Sequence, residues 1–375
     1  MRSNSINVLH VLRAPVGGLF RHVLDLARGQ AERGHRVGII ADATTGGGAA
    51  EAQLADLSPR LALGVSRVPM SRQVGLRDVS AVAHVTRRAA SVAADVLHGH
   101  GAKGGAYARL AKSARAIRAY TPHGGSLHYG WASPAGLLYL TLEKALIART
   151  DLILFESAYG REIFRAKLGE PGKLTRVVHN GVTAAEFAPV TTDPRAADLV
   201  FVGELRILKG VDVLIQAIGL LARDGRNLSA TIVGEGPDRA AFEAQVRAQG
   251  LADRVRFVGA KPARSAFALG RLLVVPSRAE SLPYIVLEAA AAGVPLVATK
   301  VGGIPEIFES QSADLVPPSD PAALARAIEL GLRNPAGQRA AAARLQDRVR
   351  ESFSTGAMTD AVLAAYGEAL AGRHG

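Results

Sequence analysis

Two glutamates, Glu280 and Glu288, stand eight residues apart in a segment that is otherwise mostly small and apolar. Pro283, between them, suits the first turn of a helix, which places Glu280 in the preceding loop and Glu288 about two turns inside the helix. A carboxylate among aliphatic side chains is costly unless it has a hydrogen-bonding partner. A ligand with two adjacent hydroxyls, such as a ribose, would be that partner for Glu288, and a salt bridge to an arginine is the alternative.

The start of this helix is suited to oxygen-rich groups. The first backbone amides of a helix have no partner within it and carry the positive end of the helix dipole. We therefore expect the amides at Ser281 and Leu282 to hold anionic or hydroxyl oxygens.

A second group of polar residues follows the apolar run 199–202, where Arg206 and Lys209 stand three residues apart before a helical segment. An arginine presents a fork of donors and a lysine a point charge, so the two together suit a diphosphate. A solvated basic loop is the alternative interpretation. The sequence contains no Asp-x-Asp pair, so the usual carboxylate clamp for a divalent metal is absent.

A glycine turn, Gly17-Gly18, stands between the first strand candidate and the first helix candidate. Glycines there allow a ligand to approach the backbone, and the helix start favours negative charge. The turn lacks the Gly-x-Gly-x-x-Gly spacing of a dinucleotide site, and a merely tight turn is the alternative.

Three histidines are candidates for chemistry, and the sequence has no cysteine. His123 follows a Thr-Pro turn, where it is either a catalytic group or a capped loop residue. His98 and His100 have the spacing of a metal pair, but the sequence reveals no third ligand, so we predict a structural role for them.

Short β-branched runs alternate with helical segments along the whole chain, which is the pattern of parallel sheets in α/β proteins. The chain therefore divides into two doubly wound domains joined near residues 183–198. The strand candidates are 7–12, 37–41, 65–69, 95–98, 117–121, 152–155 and 175–178, then 199–202, 230–233, 255–258, 272–275, 296–298 and 314–316. The clearest helices are 19–33, 211–223, 239–248 and 360–373.

The two glutamates and the sequence Leu287-Glu288-Ala289-x-Ala291-x-Gly293-x-Pro295 closely resemble a motif of the GT-B glycosyltransferases of family 4. These are retaining enzymes that use nucleotide sugars. Six further motifs extend the resemblance over nearly the whole chain: Gly17-Gly18, Thr121-Pro122-His123-Gly124, His179-Asn180-Gly181-Val182, Gly203-Glu204-Leu205 with Lys209-Gly210, Val233-Gly234-x-Gly236-Pro237, and Gly302-Gly303-x-Pro305-Glu306.

The resemblance implies a GT-B fold, with two facing Rossmann-like domains and a cleft between them. Residues 1–185 would bind the acceptor, residues 186–359 would bind the nucleotide sugar, and a helix in 360–375 would pack back across the cleft. The donor would be a nucleotide diphosphate sugar, with no further cofactor and no metal.

The same resemblance assigns roles to single residues. His123 and Glu280 would act at the transferred sugar, and Glu288 would hold the ribose. The diphosphate would contact Gly17, Gly18, Arg206, Lys209, Ser281 and Leu282, and the base would lie against Val258 and Gly259. Two departures from the family pattern are Ser281, where many members have glycine, and the order Glu204 then Arg206, which leaves open which cation makes the main phosphate contact.

Three other classes of protein are alternatives. A GT-B nucleotide-sugar epimerase shares the architecture, but the setting of Glu280 and Glu288 argues against it. A non-catalytic nucleotide-sugar-binding protein stays an alternative, although a secreted sugar-binding protein would normally carry a signal segment. A dinucleotide-dependent dehydrogenase needs the glycine fingerprint that is missing here.

The positive charge is confined to one half of the chain. Residues 1–185 carry 24 Lys and Arg against 12 Asp and Glu, whereas residues 186–375 carry 21 of each. We expect the first half to meet an anionic membrane, with Arg109, Lys112 and Arg115 forming one basic stripe of a helix. The acceptor would be a glycan or lipid-linked intermediate of the cell envelope.

The chain has no apolar stretch long enough to span a membrane and no recognisable leader. We therefore expect a cytoplasmic protein, peripheral on the inner leaflet. Aromatic residues are only 5% of the chain and no nucleic-acid motif is present, so a nucleic-acid partner is not expected.

Overall fold

The computed structural model describes residues 5–374. These residues form two compact units, each with its own parallel sheet. Unit 1 comprises the chain up to Asn180 together with the segment from Thr355 onward, and unit 2 is Gly181–Ser354. The unit boundaries lie five residues before the domain boundaries expected from the sequence, at 180/181 and at 354/355.

The sheet of unit 1 has seven parallel strands in the order β3-β2-β1-β4-β5-β6-β7 within the described residues. Its strands are β1 Asn7–Leu12, β2 Arg36–Asp42, β3 Val65–Val68, β4 Val96–His100, β5 Ile117–Thr121, β6 Leu152–Phe155 and β7 Leu174–Val177. Its helices are α1 Gly17–Glu32, α2 Gly47–Leu57, α3 Leu76–Ser91, α4 Gly101–Leu110, α5 Pro134–Ile147, α6 Ala158–Leu168 and, at the far end of the chain, α14 Thr355–His374.

The central strands of unit 1 are apolar because both faces of the parallel sheet are covered. In β1, Val8, Leu9, Val11 and Leu12 are buried, and His10 is the polar exception.

The C-terminal helix α14 belongs to unit 1, where it packs on α1. Its buried stripe joins residues of the strands in one cluster, and includes Met358, Val362 and Tyr366. The two helices approach closely at Gly29, where a Cβ would lie 2.4 Å from the Thr359 Oγ1 atom. A residue larger than glycine at position 29 would therefore push the helices apart.

Unit 2 contains a five-stranded parallel sheet in the order β10-β9-β8-β11-β12, counted over the same described residues. Its strands are β8 Ala197–Val202, β9 Ala230–Val233, β10 Val255–Phe257, β11 Gly270–Val275 and β12 Leu296–Ala298. Its helices are α7 Val211–Arg223, α8 Arg239–Ala248, α9 Ala263–Phe267, α10 Tyr284–Ala291, α11 Ile304–Phe308, α12 Pro321–Arg333 and α13 Pro335–Ser352.

The expected strand at 314–316 is wrong. The 3₁₀ turn Glu309–Asp314 includes the first of these residues, and the amide of Leu315 donates back to the carbonyl of Ser312 in that turn. Val316 makes only an isolated parallel bridge, to Thr299.

The predicted basic stripe of Arg109, Lys112 and Arg115 is also wrong. Helix α4 ends at Leu110, so Lys112 and Arg115 lie in the loop that follows. Arg109 is fully buried, with its Nη2 atom 2.6 Å from Glu143 Oε1 and its guanidinium 3.8 Å from the ring centre of Tyr120. An arginine that pairs inside the core cannot contribute to a surface.

No helix among the described residues combines the length and the apolar character that crossing a bilayer would take.

The Arg109–Glu143 pair predicts a large loss of stability in unit 1 when one partner is removed. Glu143→Ala should cost about 3–5 kcal/mol, because the buried guanidinium loses its carboxylate. Urea unfolding followed by the fluorescence of Trp131, the single tryptophan and a residue of unit 1, measures the loss. Arg115→Ala, which removes an exposed partner of Asp95, is the control and should cost less than about 1 kcal/mol. Equal losses in the two variants would contradict the assignment.

Candidate functional site

In unit 2, the residues expected to bind a ligand follow the carboxyl ends of the strands. The loop after β8 ends at Gly210, whose φ of 71° is in the left-handed region. A Cβ at this glycine would lie 1.9 Å from the carbonyl oxygen of Pro276, directly after β11. Only glycine allows this approach, which brings the loop after β8 against the loop after β11.

The approach of these loops joins Lys209 to Glu280. The Lys209 Nζ atom lies 2.7 Å from Glu280 Oε1 and 2.8 Å from Oε2. The hydroxyl of Ser277 donates a hydrogen bond of 2.7 Å to Glu280 Oε1. Glu280 is buried and Lys209 is half-buried. A cation predicted to bind a diphosphate and a carboxylate predicted to bind a sugar are thus paired with each other.

Arg206 is placed differently from Lys209. Its side chain is exposed, and its Nε atom lies 3.4 Å from Glu204 Oε1. It is the residue directly before the 3₁₀ turn Ile207–Lys209, so it shares one short loop with Lys209. Lys209 is anchored and Arg206 is free to reorient toward an anion.

Helix α10 begins one residue later than the sequence indicated. Pro283 has an extended ψ of 123° and precedes the helix, whose first residue is Tyr284. Glu288 is therefore the fifth helical residue, just over one turn from the start and not two, and it is half-buried. Ser281 and Leu282 lie immediately before the helix, and the carbonyl of Ser281 accepts a hydrogen bond of 2.6 Å from the Gly303 amide.

The expected base-lining residues Val258 and Gly259 follow β10, at the same edge of the sheet. The carbonyl of Gly259 accepts a hydrogen bond of 2.9 Å from the Gly234 amide in the turn after β9. Val258 is partly exposed beside it. Unit 2 therefore gathers its predicted residues, which follow β8, β10 and β11, along one edge of the sheet.

In unit 1, Gly17 and Gly18 are the first two residues of α1 and are exposed. Gly17 has a φ of 63°, and a Cβ there would meet no atom within 4 Å. The backbone conformation, not crowding, thus favours glycine, and the amides of the first turn are accessible.

His123 follows β5 and has a φ of 50°, a left-handed conformation that is unusual for a residue with a side chain. Its Nδ1 atom lies 2.5 Å from Glu156 Oε1, and its Nε2 atom lies 3.1 Å from His100 Nδ1. Both ring nitrogens therefore contact partners within unit 1.

His123 is one of five histidines that cluster at the carboxyl edge of unit 1, the others being His10, His22, His98 and His100. Two overlapping triads each bring three ring nitrogens within 4.8 Å of one another: His10, His98 and His100, and His22, His100 and His123. The sequence interpretation of His98 and His100 missed these partners.

The cluster could only partly be found from the sequence. His10 lies in β1 directly beside His98 in β4, in a register that the alternation of apolar residues does not fix. His22 comes from α1, and Glu156 and Asn180 come from the loops after β6 and β7. Of His22, Glu156 and Asn180, only Asn180 belongs to a motif recognised in the sequence.

Burial keeps the imidazoles of His10, His22, His98 and His100 neutral. Desolvation lowers the pKa of His10 to about 4. Desolvation, aided by the nearby His123, lowers the pKa of His22 to about 3. The pKa values of His98 and His100 are well below the usual range, first through burial and then through the neighbouring histidines.

Comparison with known families gives two matches that lie end to end. Residues 16–186 match the description Glycosyltransferase Family 4, and residues 196–334 match Glycosyl transferases group 1. A glycogen synthase of Mycobacterium tuberculosis is 30% identical over 246 residues, which are 64% of this chain and 59% of that protein. The match thus spans less than two thirds of the length of this relative.

Solved structures share the fold of the whole chain. A sucrose-phosphate synthase from Thermosynechococcus elongatus has a TM-score of 0.82 at 22% identity, covering 98% of this chain and 100% of that one. The Anabaena protein HepE, in complex with UDP-glucose, has a TM-score of 0.80 at 20% identity, covering 97% and 100%. These similarities confirm the GT-B fold expected from the sequence.

The buried neutral histidines predict that unit 1 loses stability as the pH falls. A lowered folded pKa means that the unfolded chain binds more protons below pH about 6.5, so the stabilisation is complete above that pH and declines toward pH about 4. His10 alone should account for about 2 kcal/mol between pH 7 and pH 5.

Urea midpoints from Trp131 fluorescence should therefore fall steadily from pH 7 to pH 5. His10→Gln, which cannot titrate, should reduce the slope of stability against pH. A midpoint that is constant over this range would contradict the burial of neutral imidazoles.

Proposed function

The chain belongs to the family 4 glycosyltransferases, and we propose that it transfers a hexose from a nucleotide diphosphate sugar with retention of anomeric configuration. The observation that carries the proposal is the Lys209–Glu280 pair at the carboxyl edge of unit 2, two residues that the family resemblance assigns to the donor. A nucleotide-sugar epimerase and a non-catalytic binding protein are not favoured.

The pair offers a simple exchange on donor binding. The diphosphate carries more negative charge than one carboxylate, so it competes with Glu280 for the ammonium of Lys209. Glu280 then accepts hydrogen bonds from sugar hydroxyls, and Ser277 keeps the carboxylate in place. Before the donor binds, the pairing of Lys209 with Glu280 leaves neither charge without a partner in the half-buried loop.

The remainder of the donor would lie along the same edge. Glu288 would accept the ribose hydroxyls, and the base would lie against Val258 and Gly259. Arg206 would turn from Glu204 to the diphosphate, since an exposed pair at 3.4 Å costs little to break. The amides before α10 would add neutral donors to the phosphate oxygens.

We propose that the leaving diphosphate needs no divalent metal. Arg206, Lys209 and the start of α10 would stabilise the negative charge of the leaving diphosphate, as Mg²⁺ does in other sugar-transferring enzymes. In unit 1, Glu156 fixes the ring of His123, the residue that the family resemblance assigns to the transferred sugar. With both ring nitrogens engaged, the groups of His123 left to contact a substrate are its backbone and its ring C–H.

The transfer itself is tested with a panel of UDP-, GDP- and ADP-hexoses in excess EDTA. We expect one nucleotide to be released at the same rate with and without EDTA. NMR of the product should show an α linkage when the donor is an α anomer. Complete loss of transfer in EDTA, restored by Mg²⁺ or Mn²⁺, would overturn the metal-free leaving group. If no donor of the panel releases its nucleotide, the proposed hexose transfer is contradicted.

The donor site is tested by calorimetry with the free nucleoside diphosphate that the panel identifies. Lys209→Ala and Glu288→Ala should each weaken binding by about 1.5–3 kcal/mol, the value of a hydrogen bond to a charged group. Arg247→Ala, an exposed cation on α8, is the matched control and should bind normally. Unchanged affinity in both site variants would refute the assignment.

We further propose that the acceptor is a lipid-linked or glycan intermediate at an anionic membrane, and that unit 1 docks there. Unit 1 carries 25 Lys and Arg against 14 Asp and Glu, a net charge of +11. The basic stripe on α4 is absent, so we place the docking surface on α5. Three leucines of this helix are exposed, Leu137 by 56%, Leu138 by 49% and Leu142 by 42%. Trp131 and Tyr129 are exposed just before this helix, as aromatic residues are at bilayer interfaces.

Vesicle co-sedimentation tests this docking. Binding should rise with the fraction of anionic lipid, fall with salt, and drop at least several-fold in Leu138→Glu/Leu142→Glu. Leu330→Glu, at a leucine of unit 2 that is 68% exposed, is the control and should bind like the unaltered chain. Equal partitioning of the unaltered chain to neutral and anionic vesicles would overturn the proposal.

A further inference from the structure

We propose that His22, His100 and His123 form a binding site for one divalent transition-metal ion of the zinc type. The three residues lie on α1, at the end of β4 and in the loop after β5. One ring nitrogen of each lies within 4.8 Å of the other two. The site shares His123 with the proposed function, but its test measures metal binding and not transfer.

The hydrogen bonds at one end of the cluster fix where His100 carries its proton. The amide oxygen of Gln30 lies 2.9 Å from His10 Nε2, so this nitrogen donates. His10 Nδ1 is then the acceptor in a neutral ring, and it lies 3.0 Å from His100 Nε2. His100 therefore donates from Nε2 and has a lone pair on Nδ1.

The other end of the cluster fixes the proton of His123. Its Nδ1 atom donates to Glu156 Oε1 at 2.5 Å, so Nε2 has the lone pair in the neutral ring. The lone pairs of His123 Nε2 and His100 Nδ1 thus face each other at 3.1 Å. Two acceptors at this distance repel, and a cation shared between them resolves the conflict.

His22 supplies a third nitrogen. Its Nδ1 atom donates to Asn180 Oδ1 at 2.9 Å, which leaves the lone pair on Nε2. Within residues 5–374, Nε2 has no hydrogen-bonding partner, although His22 is 97% buried. A proton between His100 and His123 would leave this nitrogen unpaired, whereas a metal ion would use all three.

The surroundings match those of metal-bound imidazoles. Such rings usually donate their second N–H to a carboxylate, a carbonyl or another acceptor. Here the second nitrogens of His123, His22 and His100 contact Glu156, Asn180 and His10.

The donor chemistry narrows the choice of ion. Three imidazoles suit Zn²⁺, Co²⁺, Ni²⁺ or Cu²⁺ and not Mg²⁺ or Ca²⁺, which prefer oxygen ligands. In a tetrahedral zinc site with bonds of about 2.0–2.1 Å, neighbouring nitrogens are about 3.3 Å apart, close to the separation of His100 and His123. The ion is therefore distinct from a magnesium clamp on a diphosphate.

The neighbouring triad of His10, His98 and His100 is less suited to a metal. His98 Nδ1 lies 2.7 Å from the Tyr366 hydroxyl, and its Nε2 lies 2.8 Å from Thr121 Oγ1. Both nitrogens of His10 are also engaged. This triad is satisfied by hydrogen bonds within the protein.

A bound ion would tie the loop of His123 to α1 and to β4. His123 has a strained left-handed backbone, which needs surrounding contacts to persist. Three metal–nitrogen bonds would hold this loop more firmly than its hydrogen bonds alone. We assign the ion this positioning role.

The test is a calorimetric titration of the chelator-stripped full chain with Zn²⁺ alone, repeated with Co²⁺ and visible absorption. One ion per chain should bind, and Co²⁺ should give the d–d bands of a low-coordinate nitrogen site. His22→Gln and His123→Gln should weaken zinc binding more than about 100-fold, since loss of a residue that only hydrogen-bonds a metal ligand already costs about 10–100-fold. Asn180→Ala, which removes the hydrogen-bond acceptor of His22, should weaken zinc binding by about 10–100-fold.

His84→Gln is the matched control, because His84 contacts Ser66 outside the cluster and should leave zinc binding unchanged. Circular dichroism of each variant checks folding, and the stoichiometry of the unaltered chain decides the question by itself. Absence of zinc binding by the unaltered chain would overturn the site. So would binding that persists in both cluster variants, or ¹⁵N-histidine spectra of a zinc-free chain with His100 protonated at Nδ1, which would mean that the Gln30 amide donates to His10.

Discussion

The close approach of backbone to backbone after the strands of unit 2 is the constraint on which its site depends. The carbonyl oxygen of Pro276 occupies the place of a side chain at position 210, and that of Glu280 lies 1.9 Å from where a Cβ of Gly302 would be. Both glycines have positive φ, so crowding and backbone conformation require the same residue type. With these loops held, Lys209 meets Glu280, and the segment before α10 is held against Gly303.

Unit 1 solves a different physical problem at the corresponding edge of its sheet. Its strand ends carry imidazoles where an apolar core would be expected, and nearly every ring nitrogen has a partner. A buried polar network stabilises one arrangement when all its members are satisfied and costs free energy where one is not. The orphan nitrogen of His22 is the point at which this network is incomplete, and for that reason it is informative about a ligand.

Charge has separate meanings in the two units. In unit 1 the excess of positive charge is distributed over the surface and loops, and an arginine that seemed part of a basic stripe is consumed by a core ion pair. In unit 2 the charges nearly balance, with 20 Lys and Arg against 19 Asp and Glu, and the cation of interest is the one paired with a buried carboxylate. Net charge therefore describes what a unit attracts, whereas single contacts decide which cation is available to a ligand.

The sequence by itself determined the two parallel sheets and nearly all of their strands, because apolar runs of β-branched residues must be covered on both faces. The predicted bounds are correct for strands 7–12, 117–121, 152–155, 230–233 and 296–298. The motifs recognised in the sequence agree with the two glycosyltransferase family matches. The predicted element bounds were wrong where the local residue pattern competes with turn geometry. Residues 309–314 wind into a 3₁₀ turn, and α10 starts after Pro283.

Only the tertiary structure decided which side chains meet. Lys209 and Glu280 are 71 residues apart, and the five clustered histidines described in unit 1 come from one helix, two strands and one loop. Such pairs depend on strand order, register and the few positions where backbones touch, none of which a local periodicity encodes. Motifs that sequence analysis treats one by one, such as His98 with His100, acquire their chemistry from residues such as His22 and Glu156 that the fold brings beside them.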